Sequence, residues 1–276
     1  MVVARLRAAG CVFAEDEAAL LREAAGPGAR AEVALEGLVA RRVAGEPLEH
    51  LLGWVAFAGR RWSVGPGVFV PRRRTELMVR AALALARPAG PLLAQPTAPV
   101  TVVDLCCGCG AVGGAVALGL RAQGAHMVLH AADVAVAATD HARRNLEPLG
   151  GRVHTGDLFD ALPAHLRGGV DVLLCNAPYV PTDAIATMPP EARDHEPAVA
   201  LDGGGDGLDV VRRVVAGARE WLAPGGSLLF EVGTGQVDAA TRLVGSHGLR
   251  PRVVTDDDPD ADDATGGTVV VATSAD

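Results

Sequence analysis

The stretch "TVVDLCCGCGAVGGAVAL", residues 101–118, changes from a β-branched apolar run to a glycine-rich loop and then to a helical pattern of small residues. A strand, loop and helix in this order are typical of a parallel α/β fold, because parallel strands are joined by crossovers that are usually helical. Gly108 and Gly110 can adopt backbone conformations that side chains disfavour. The helix that follows has unpaired N–H groups at its amino end, so the stretch predicts a loop that binds a polar or anionic ligand.

The same alternation of strand and helix continues to the end of the chain. Strands are predicted near residues 100–104, 127–132, 152–155, 170–175, 227–231, 250–254 and 268–272. Helices are predicted at residues 110–122, 134–147, 208–222 and 236–246. The pattern indicates an α/β fold in which helices cover both faces of a parallel sheet. The acidic stretch at 255–267 is predicted to be an exposed turn between the last two strands.

The first part of the chain has a different character. Residues 2–46 are rich in Ala, Leu, Arg and Glu, which predicts two helices separated by "GPG" at 26–28. The next stretch, 45–76, contains short aromatic and β-branched pieces around Gly59. Such pieces on either side of a glycine predict a β-hairpin.

Two further signals define the domain organisation. Thr75 is predicted to cap a helix that continues to Arg87, and the Pro- and Gly-rich segment 88–99 reads as a linker. The chain is therefore expected to contain a helical domain, a hairpin linker and an α/β domain, at residues 1–50, 51–68 and 69–276.

Composition and charge argue against several classes of protein. The chain is 49% hydrophobic and 21% charged, which is typical of a globular protein, and its net charge of −8 argues against tight binding to nucleic acid. No apolar run approaches membrane-spanning length, and Arg5 and Arg7 interrupt the apolar amino end. Five cysteines, three of them at 106, 107 and 109, fit a reducing compartment, so we expect a cytoplasmic protein that does not bind membranes.

Acidic residues follow two of the predicted strands. Asp133 lies 23 residues after Gly110 at the end of the second strand of the sheet, a position suited to binding the hydroxyls of a ribose. The motif "GDLFD", residues 156–160, follows the third strand. Together with the glycine loop they predict a nucleoside site. The alternative is a tight turn beside two solvated aspartates.

Six motifs occur in the order found in class I methyltransferases that use S-adenosylmethionine: "VVDLCCGCGAV", "AADV", "GDLFD", "CNAPYVP", "HEPAVALDGGGDGLDVVRRV" and "LAPGGSLLFEVG". With "GEPLEHLLG" and "FVPRRRTELMV" upstream, the chain resembles the protein-(glutamine-N5) methyltransferase family of the HemK/PrmC type from about residue 45 onward. The resemblance implies a Rossmann-like, seven-stranded sheet behind a small N-terminal helical domain that helps to dock the protein substrate. It also implies methylation of a glutamine side chain in a peptide chain release factor.

The resemblance assigns a set of residues to S-adenosylmethionine. The methionine part is expected against Cys106, Cys107, Gly108, Cys109 and Gly110, the ribose on Asp133, the adenine beside Asp157 and Leu158, and a further contact at Asn176. This chain departs from the family, which usually has Gly at Cys106, Thr or Ser at Cys107 and Cys109, and an aromatic residue at Leu158. Cysteine is small enough for such a turn unless Cys106 must adopt a positive φ.

The motif "CNAPYVP", residues 175–181, is expected to bind the substrate and to carry the chemistry. An amide nitrogen is a poor nucleophile, so it must be held in line with the methyl group. The side-chain oxygen of Asn176 and the carbonyl of Ala177 can each accept one amide N–H. Pro178 restricts Ala177 to an extended backbone, and Tyr179 can form a wall beside the planar amide. The family usually has Pro at position 177.

Three other interpretations stay open at this point. The same Asn-x-Pro-Tyr arrangement serves planar amino groups of adenine or cytosine in nucleic acid. A non-catalytic cofactor-binding protein is suggested by Cys106, Ala177 and Arg74, the last of which replaces a Glu in the family. Cys106 and Cys109 form a C-x-x-C pair, but since the sequence offers no second ligand pair of similar spacing, we assign no residue to a metal.

Overall fold

The computed structural model describes residues 1–85, 99–256 and 267–275. The α-helices in this part of the chain are α1 (Val2–Ala8), α2 (Ala14–Ala25), α3 (Ala31–Val43), α4 (Leu48–Leu52), α5 (Glu76–Leu85), α6 (Ala111–Ala122), α7 (Val136–Leu146), α8 (Pro190–His195), α9 (Asp209–Trp221) and α10 (Val237–Ser246). The strands are β1 (Trp54–Phe57), β2 (Arg60–Ser63), β3 (Val100–Leu105), β4 (Met127–Asp133), β5 (Arg152–Thr155), β6 (Val170–Cys175), β7 (Leu222–Glu231), β8 (Arg250–Thr255) and β9 (Thr268–Thr273).

Seven strands form one sheet in the order β5-β4-β3-β6-β7-β9-β8, which confirms the predicted α/β class and strand number. The strands β3 to β7 are mutually parallel, as predicted. The prediction was wrong for β9, which runs antiparallel to both of its neighbours. Strand β9 follows β8 in the chain and is its neighbour in the sheet, and two such strands can pair antiparallel without a helical crossover. The predicted acidic turn lies mostly outside the described residues.

Helices cover both faces of this sheet and bury its apolar side chains in two layers. One layer packs α5, α6 and α7 against the sheet and includes Met78, Val116 and Leu146. The other packs α9 and α10 against the opposite face. In α9 the buried residues follow helical spacing along one stripe: Val211, Val214, Val215, Ala218 and Trp221. The central strands are therefore buried on both faces, as parallel strands usually are.

The helical start has a small core of its own, with Leu6, Leu21 and Val39 fully buried. The prediction of two helices here was wrong, because the part before the break at 26–28 forms two helices, α1 and α2, instead of one. Gly10 has a φ of 91° between them, a conformation that favours glycine and interrupts a helix. The predicted break at residues 26–28 is confirmed, since it lies between α2 and α3.

The predicted hairpin is confirmed, because β1 and β2 pair antiparallel across Ala58 and Gly59. Both turn residues have positive φ, as a two-residue hairpin turn of this type requires. The ring of Trp62 from β2 is buried against Gly114 of α6, so the hairpin packs on the large domain.

The helix predicted from Thr75 is present, but its predicted cap is not. A 3₁₀ turn over Arg73–Thr75 leads into α5, and the buried Thr75 Oγ1 has no hydrogen-bond partner in the described ranges. The 3₁₀ turn places Thr75 inside the helical entry instead of at the N-cap. The predicted end at Arg87, and all but the last residue of the predicted linker at 88–99, lie outside the described residues.

A pair of stacked histidines joins the edge strand β5 to its neighbour β4. The Nδ1 of His130 in β4 lies 2.9 Å from Nε2 of His154 in β5, and the two ring centroids are 5.2 Å apart. His130 is fully buried. Burial, together with the nearby His154 and Arg152, lowers the pKa of His130 to about 4. The fold therefore holds this imidazole neutral at physiological pH.

The pH dependence of stability should reveal this neutral histidine. The pKa of His130 is lower in the folded protein than in the unfolded chain. As the pH falls below about 6.5, the unfolded chain therefore binds a proton at this histidine that the native protein does not bind. The stabilisation is present above that pH and is lost toward the folded pKa of about 4. Between pH 7 and pH 5 we expect a loss of about 2 kcal/mol. Urea unfolding of the wild type and His130→Val at both pH values measures it.

The quantity to compare is the difference between the two proteins. The buried carboxyl of Asp104 has a raised pKa and acts in the opposite sense, but it is common to both. Equal pH dependence in the wild type and His130→Val would contradict the prediction.

Candidate functional site

An open cleft with about 1160 Å³ of empty space lies at the carboxyl ends of β3, β4 and β6. The chain crosses from β3 to β4 and β5 on one side, and β6 returns to the other side of β3. Ligands of open α/β sheets bind at this point of reversal. Most of the predicted site residues line the cleft: Cys106, Cys107, Gly108, Cys109, Asp133, Leu158, Asn176, Ala177, Pro178 and Tyr179. Gly110 and Asp157 do not line it.

The loop after β3 makes a tight turn. Gly108 and Gly110 have φ values of 54° and 77°. The N–H of Gly110 donates to the carbonyl of Cys107 at 2.7 Å, and a Cβ on Gly110 would lie 2.7 Å from the side chain of Leu146. Gly110 therefore shapes the turn without lining the cleft, because its lack of a side chain lets the loop pack closely on Leu146. Cys106 has a φ of 52°, the conformation in which the family's usual Gly carries no steric penalty.

Two side chains hold this loop in place, and sequence reasoning assigned neither a role. Asn145 of α7 donates to the carbonyl of Cys109 at 2.8 Å and to that of Ser63 at 2.9 Å. It also accepts the N–H of Ser63 at 2.8 Å. Asp104 accepts the N–H of Gly113 at 2.9 Å. Asn145 contacts segments far from it in the sequence, where no local motif marks it, whereas Asp104 lies within the motif "VVDLCCGCGAV".

Burial determines the protonation of the acidic groups under the loop. It raises the pKa of Asp104 to about 7. It also raises the pKa of the Cys107 and Cys109 thiols, that of Cys109 to about 12. A hydrogen bond with Cys175, together with burial, raises the pKa of Cys106. No cluster of three or more possible metal ligands occurs in residues 1–85, 99–256 and 267–275.

Asp133 is fixed by two backbone N–H groups. Its Oδ2 accepts the N–H of Gly108 and its Oδ1 that of Ala135, each at 2.9 Å. Burial raises its pKa, and these hydrogen bonds oppose the shift. Each carboxylate oxygen can accept a second bond, so the carboxylate remains able to bind a pair of hydroxyls. In contrast, Asp157 pairs with Arg213 at 2.7 Å and is about half exposed.

The residues after β6 bring a polar group into an apolar wall. The Oδ1 of Asn176 is buried and accepts no hydrogen bond from any described residue. A buried acceptor without a partner costs roughly 1–3 kcal/mol. Because Asn176 lines the cleft, a ligand that donates an N–H or O–H there would remove this penalty.

The backbone of the same motif is tightly packed. A Cβ on Gly203 would lie 2.7 Å from the carbonyl oxygen of Pro178, and Gly207 packs in the same way on the carbonyl of Tyr179. The side chain of Gln236 donates to the Tyr179 carbonyl at 2.9 Å. These contacts explain the glycine-rich stretch "LDGGGDGL" at 201–208, which leaves space for the motif.

No helix in the described part of the chain is long and apolar enough to cross a membrane.

Comparison with known proteins adds relatives of high similarity. The chain is 35% identical to the release factor glutamine methyltransferase of Geobacter sulfurreducens over 238 residues, which cover 86% of this chain and 78% of the relative. It is 37% identical to the enzyme of the same name from Bordetella pertussis, covering 79% of this chain and 76% of the relative. A third relative, at 38% identity, is the 4-amino-L-phenylalanine/4-methylamino-L-phenylalanine methyltransferase of Streptomyces pristinaespiralis, covering 74% of this chain and 67% of the relative. No protein-family model matches the chain.

Solved structures support the fold alone, at low identity. The catalytic domain of hMettl16, solved with a MAT2A 3′UTR hairpin, has a TM-score of 0.57 at 14% identity and covers 87% of this chain and 82% of its own. A methyltransferase from Pyrococcus furiosus has a TM-score of 0.51 at 15% identity, with 86% and 98% covered. The family resemblance predicted from the motifs is confirmed by the sequence relatives: the chain belongs to the release factor glutamine methyltransferase family.

Proposed function

We propose that this protein is a cytoplasmic enzyme that transfers a methyl group from S-adenosylmethionine to the side-chain amide nitrogen of a glutamine in a protein, most specifically a peptide chain release factor. One observation carries the proposal beyond the family relationship. Asn176 lines the same cleft as the cofactor loop, and its buried Oδ1 has no donor among the residues described. It is an acceptor suited to an amide N–H.

The residues of the cleft fit S-adenosylmethionine. The oriented carboxylate of Asp133 suits the ribose hydroxyls, and the loop from Cys106 to Cys109 can pack on the methionine part. Leu158, nearly buried in the cleft wall, offers an apolar surface for the adenine. The side chain of Asp157 is engaged outside the cleft, so we propose no direct role for it beyond the turn that it precedes. When bound, the cofactor supplies an electrophilic methyl group on a sulfonium.

The protein's own part in the reaction is to orient the amide nitrogen. Asn176 Oδ1 and the carbonyl of Ala177 accept its two N–H groups and stabilise the positive charge that develops on it. Pro178 and the packing of Gly203 keep this backbone fixed, so the acceptors need little reorganisation. Ala177 supplies the same carbonyl as the proline usual in the family.

The charges of the cleft favour an uncharged amide over anionic substrates. Two arginines line it, and each is paired with a buried carboxylate: Arg72 with Glu196 at 2.7 Å and Arg74 with Glu231 at 3.0 Å. Phosphate recognition needs arginines or lysines available to the phosphate. This pairing disfavours nucleic acid. The Streptomyces pristinaespiralis relative is named for an aromatic amine, a planar NH₂ group as well, so a small aromatic amine is the second candidate substrate.

We further propose that the helical residues 1–50 dock the protein substrate, with residues 51–68 as the hairpin linker and 69–276 as the methyltransferase domain. A partly buried ion-pair network supports a link between docking and catalysis. Arg42 of α3 donates to Glu17 at 2.7 Å and to Glu191 of α8 at 2.9 Å. Glu191 belongs to the segment after β6 whose neighbour Met188 lines the cleft.

The function is tested directly with radiolabelled S-adenosylmethionine. The enzyme is incubated separately with the cognate release factor, 4-amino-L-phenylalanine and an unmethylated DNA duplex, and the labelled residue of the protein is identified by mass spectrometry. We expect label on one glutamine of the release factor. Transfer only to the aromatic amine or the DNA would refute glutamine methylation.

Asn176→Ala should reduce turnover by about 10²–10³, or roughly 2.7–4 kcal/mol, because it removes one preorganised polar partner of the reacting nitrogen. Turnover is measured at saturating cofactor, with circular dichroism as the control for folding. Near-wild-type turnover in a folded variant would contradict the proposed role of the Asn176 side chain.

Asp133→Ala should weaken S-adenosylmethionine binding by roughly 10–100-fold, because hydrogen bonds to a charged group contribute about 1.5–3 kcal/mol. Isothermal titration calorimetry measures the affinity. Asp157→Ala is the matched control, since it removes an aspartate that pairs with Arg213 and does not line the cleft. Equal affinities of Asp133→Ala and the wild type would remove Asp133 from the site.

A further inference from the structure

We infer that Arg74 and Glu231 are positioning residues that hold the ring of Tyr179 beside the substrate by binding its hydroxyl group. The inference rests on the proposed function for its catalytic consequence, and on the geometry for the contact itself.

The three side chains are joined by mutual hydrogen bonds that meet at the Tyr179 hydroxyl and Glu231 Oε1. The hydroxyl of Tyr179 donates to Glu231 Oε1 at 2.7 Å and accepts from Arg74 Nη2 at 2.7 Å. The Nε of Arg74 lies 3.1 Å from the same hydroxyl and donates to Glu231 Oε1 at 3.0 Å. The hydroxyl thus donates its proton to Glu231 and accepts from both Nη2 and Nε of Arg74, so its hydrogen bonds are made within the network.

The network starts from the same place in the sheet as the substrate motif. Cys175 of β6 is paired in register with Phe230 of β7, so Asn176 and Glu231 follow at the ends of adjacent parallel strands. Arg74 approaches from the 3₁₀ turn before α5. Its guanidinium therefore connects the 3₁₀ turn before α5 to the carboxyl end of β7.

Arg74 and Glu231 depend on each other. Glu231 is 2% exposed, and a buried carboxylate is tolerated when an opposite charge and hydrogen bonds compensate its lost hydration. Arg74 supplies the charge, and Arg74 and Tyr179 supply hydrogen bonds to Oε1, whereas the buried Oε2 accepts none from a described residue. A Glu at position 74, as the family usually has, would place a second carboxylate beside Glu231 in this chain and would repel it. The arginine therefore gives this chain its own way of fixing the tyrosine.

The consequence for catalysis is steric. The backbone carbonyl of Tyr179 is bound by Gln236, and its hydroxyl is bound at the far end of the ring, so the residue is held at its backbone and at its hydroxyl. A ring fixed in this way limits the rotation of a planar amide held at Asn176. Loss of such positioning lowers turnover more than cofactor affinity.

The first test uses the fact that Tyr179 is the sole tyrosine of the sequence. Protein labelled with [¹³Cζ]-tyrosine gives one NMR signal, and its chemical shift reports the hydrogen bonding of the hydroxyl. The variant Arg74→Met/Glu231→Met removes both charges together and leaves no buried charge unpaired. We expect its signal to move and broaden relative to the wild type, and Arg74→Lys, which keeps a charged donor, to give an intermediate signal. An unchanged signal in both variants would overturn the inference.

The second test is a mutant cycle for turnover. Arg74→Met/Glu231→Met and Tyr179→Phe should each lower kcat roughly tenfold with little change in the KM for S-adenosylmethionine. The triple variant should be no slower than either, because both changes remove the same contact. Multiplied losses would show that the pair acts independently of the hydroxyl, against the inference. A wild type that transfers no methyl group to glutamine would refute the proposed function, while the NMR comparison would still decide the positioning role.

Discussion

The register between β3 and β6 is the constraint on which the site depends. Leu105 pairs with Cys175, so the cofactor loop and the substrate motif begin at neighbouring strand ends. Both strands are buried on both faces, and a shift of one residue would exchange the side chains of the two faces. The register thus fixes the approach of the two reactants, because it places Cys106 and Asn176 side by side. The remaining elements act by stabilising this pair of strands or by shaping the loops that leave it.

The loops are held mainly by backbone contacts, and this accounts for much of the unusual sequence. Asn145 binds the loop after β3, whereas Gly203, Gly207 and Gln236 pack on the motif after β6. Cys106 and Leu158 are different, because each has a positive φ that costs roughly 1–2 kcal/mol relative to glycine. The thiol of Cys106 packs against the apolar residues of the layer that contains α9 and α10 and is hydrogen-bonded with Cys175.

Local patterns predicted most of the strands, the hairpin and the loops that line the cleft, because hydrophobic periodicity and glycine positions are properties of short segments. They did not predict contacts between distant segments. Asn145 reads as an ordinary polar residue of α7, and the ion pair of Arg74 with Glu231 spans 157 positions of the chain. The reversal of β9 was missed for a similar reason, since its direction depends on the partner strands. The role of a site residue was therefore predictable when the residue belonged to a sequence motif. It was not predictable when the role depends on a contact between distant segments.

The charges in the cleft can recognise the reacting amide group but not the protein that carries it. Glu196 and Glu231 neutralise the two arginines of the cleft, so an amide enters a site that offers it acceptors but little net charge. Two acceptors recognise any planar NH₂ group of suitable size and cannot by themselves distinguish one glutamine from another. Discrimination among proteins must therefore come from surfaces outside the cleft. The Arg42 to Glu191 contact offers a physical route for it, because it joins the helical residues to the segment that forms the cleft's outer wall.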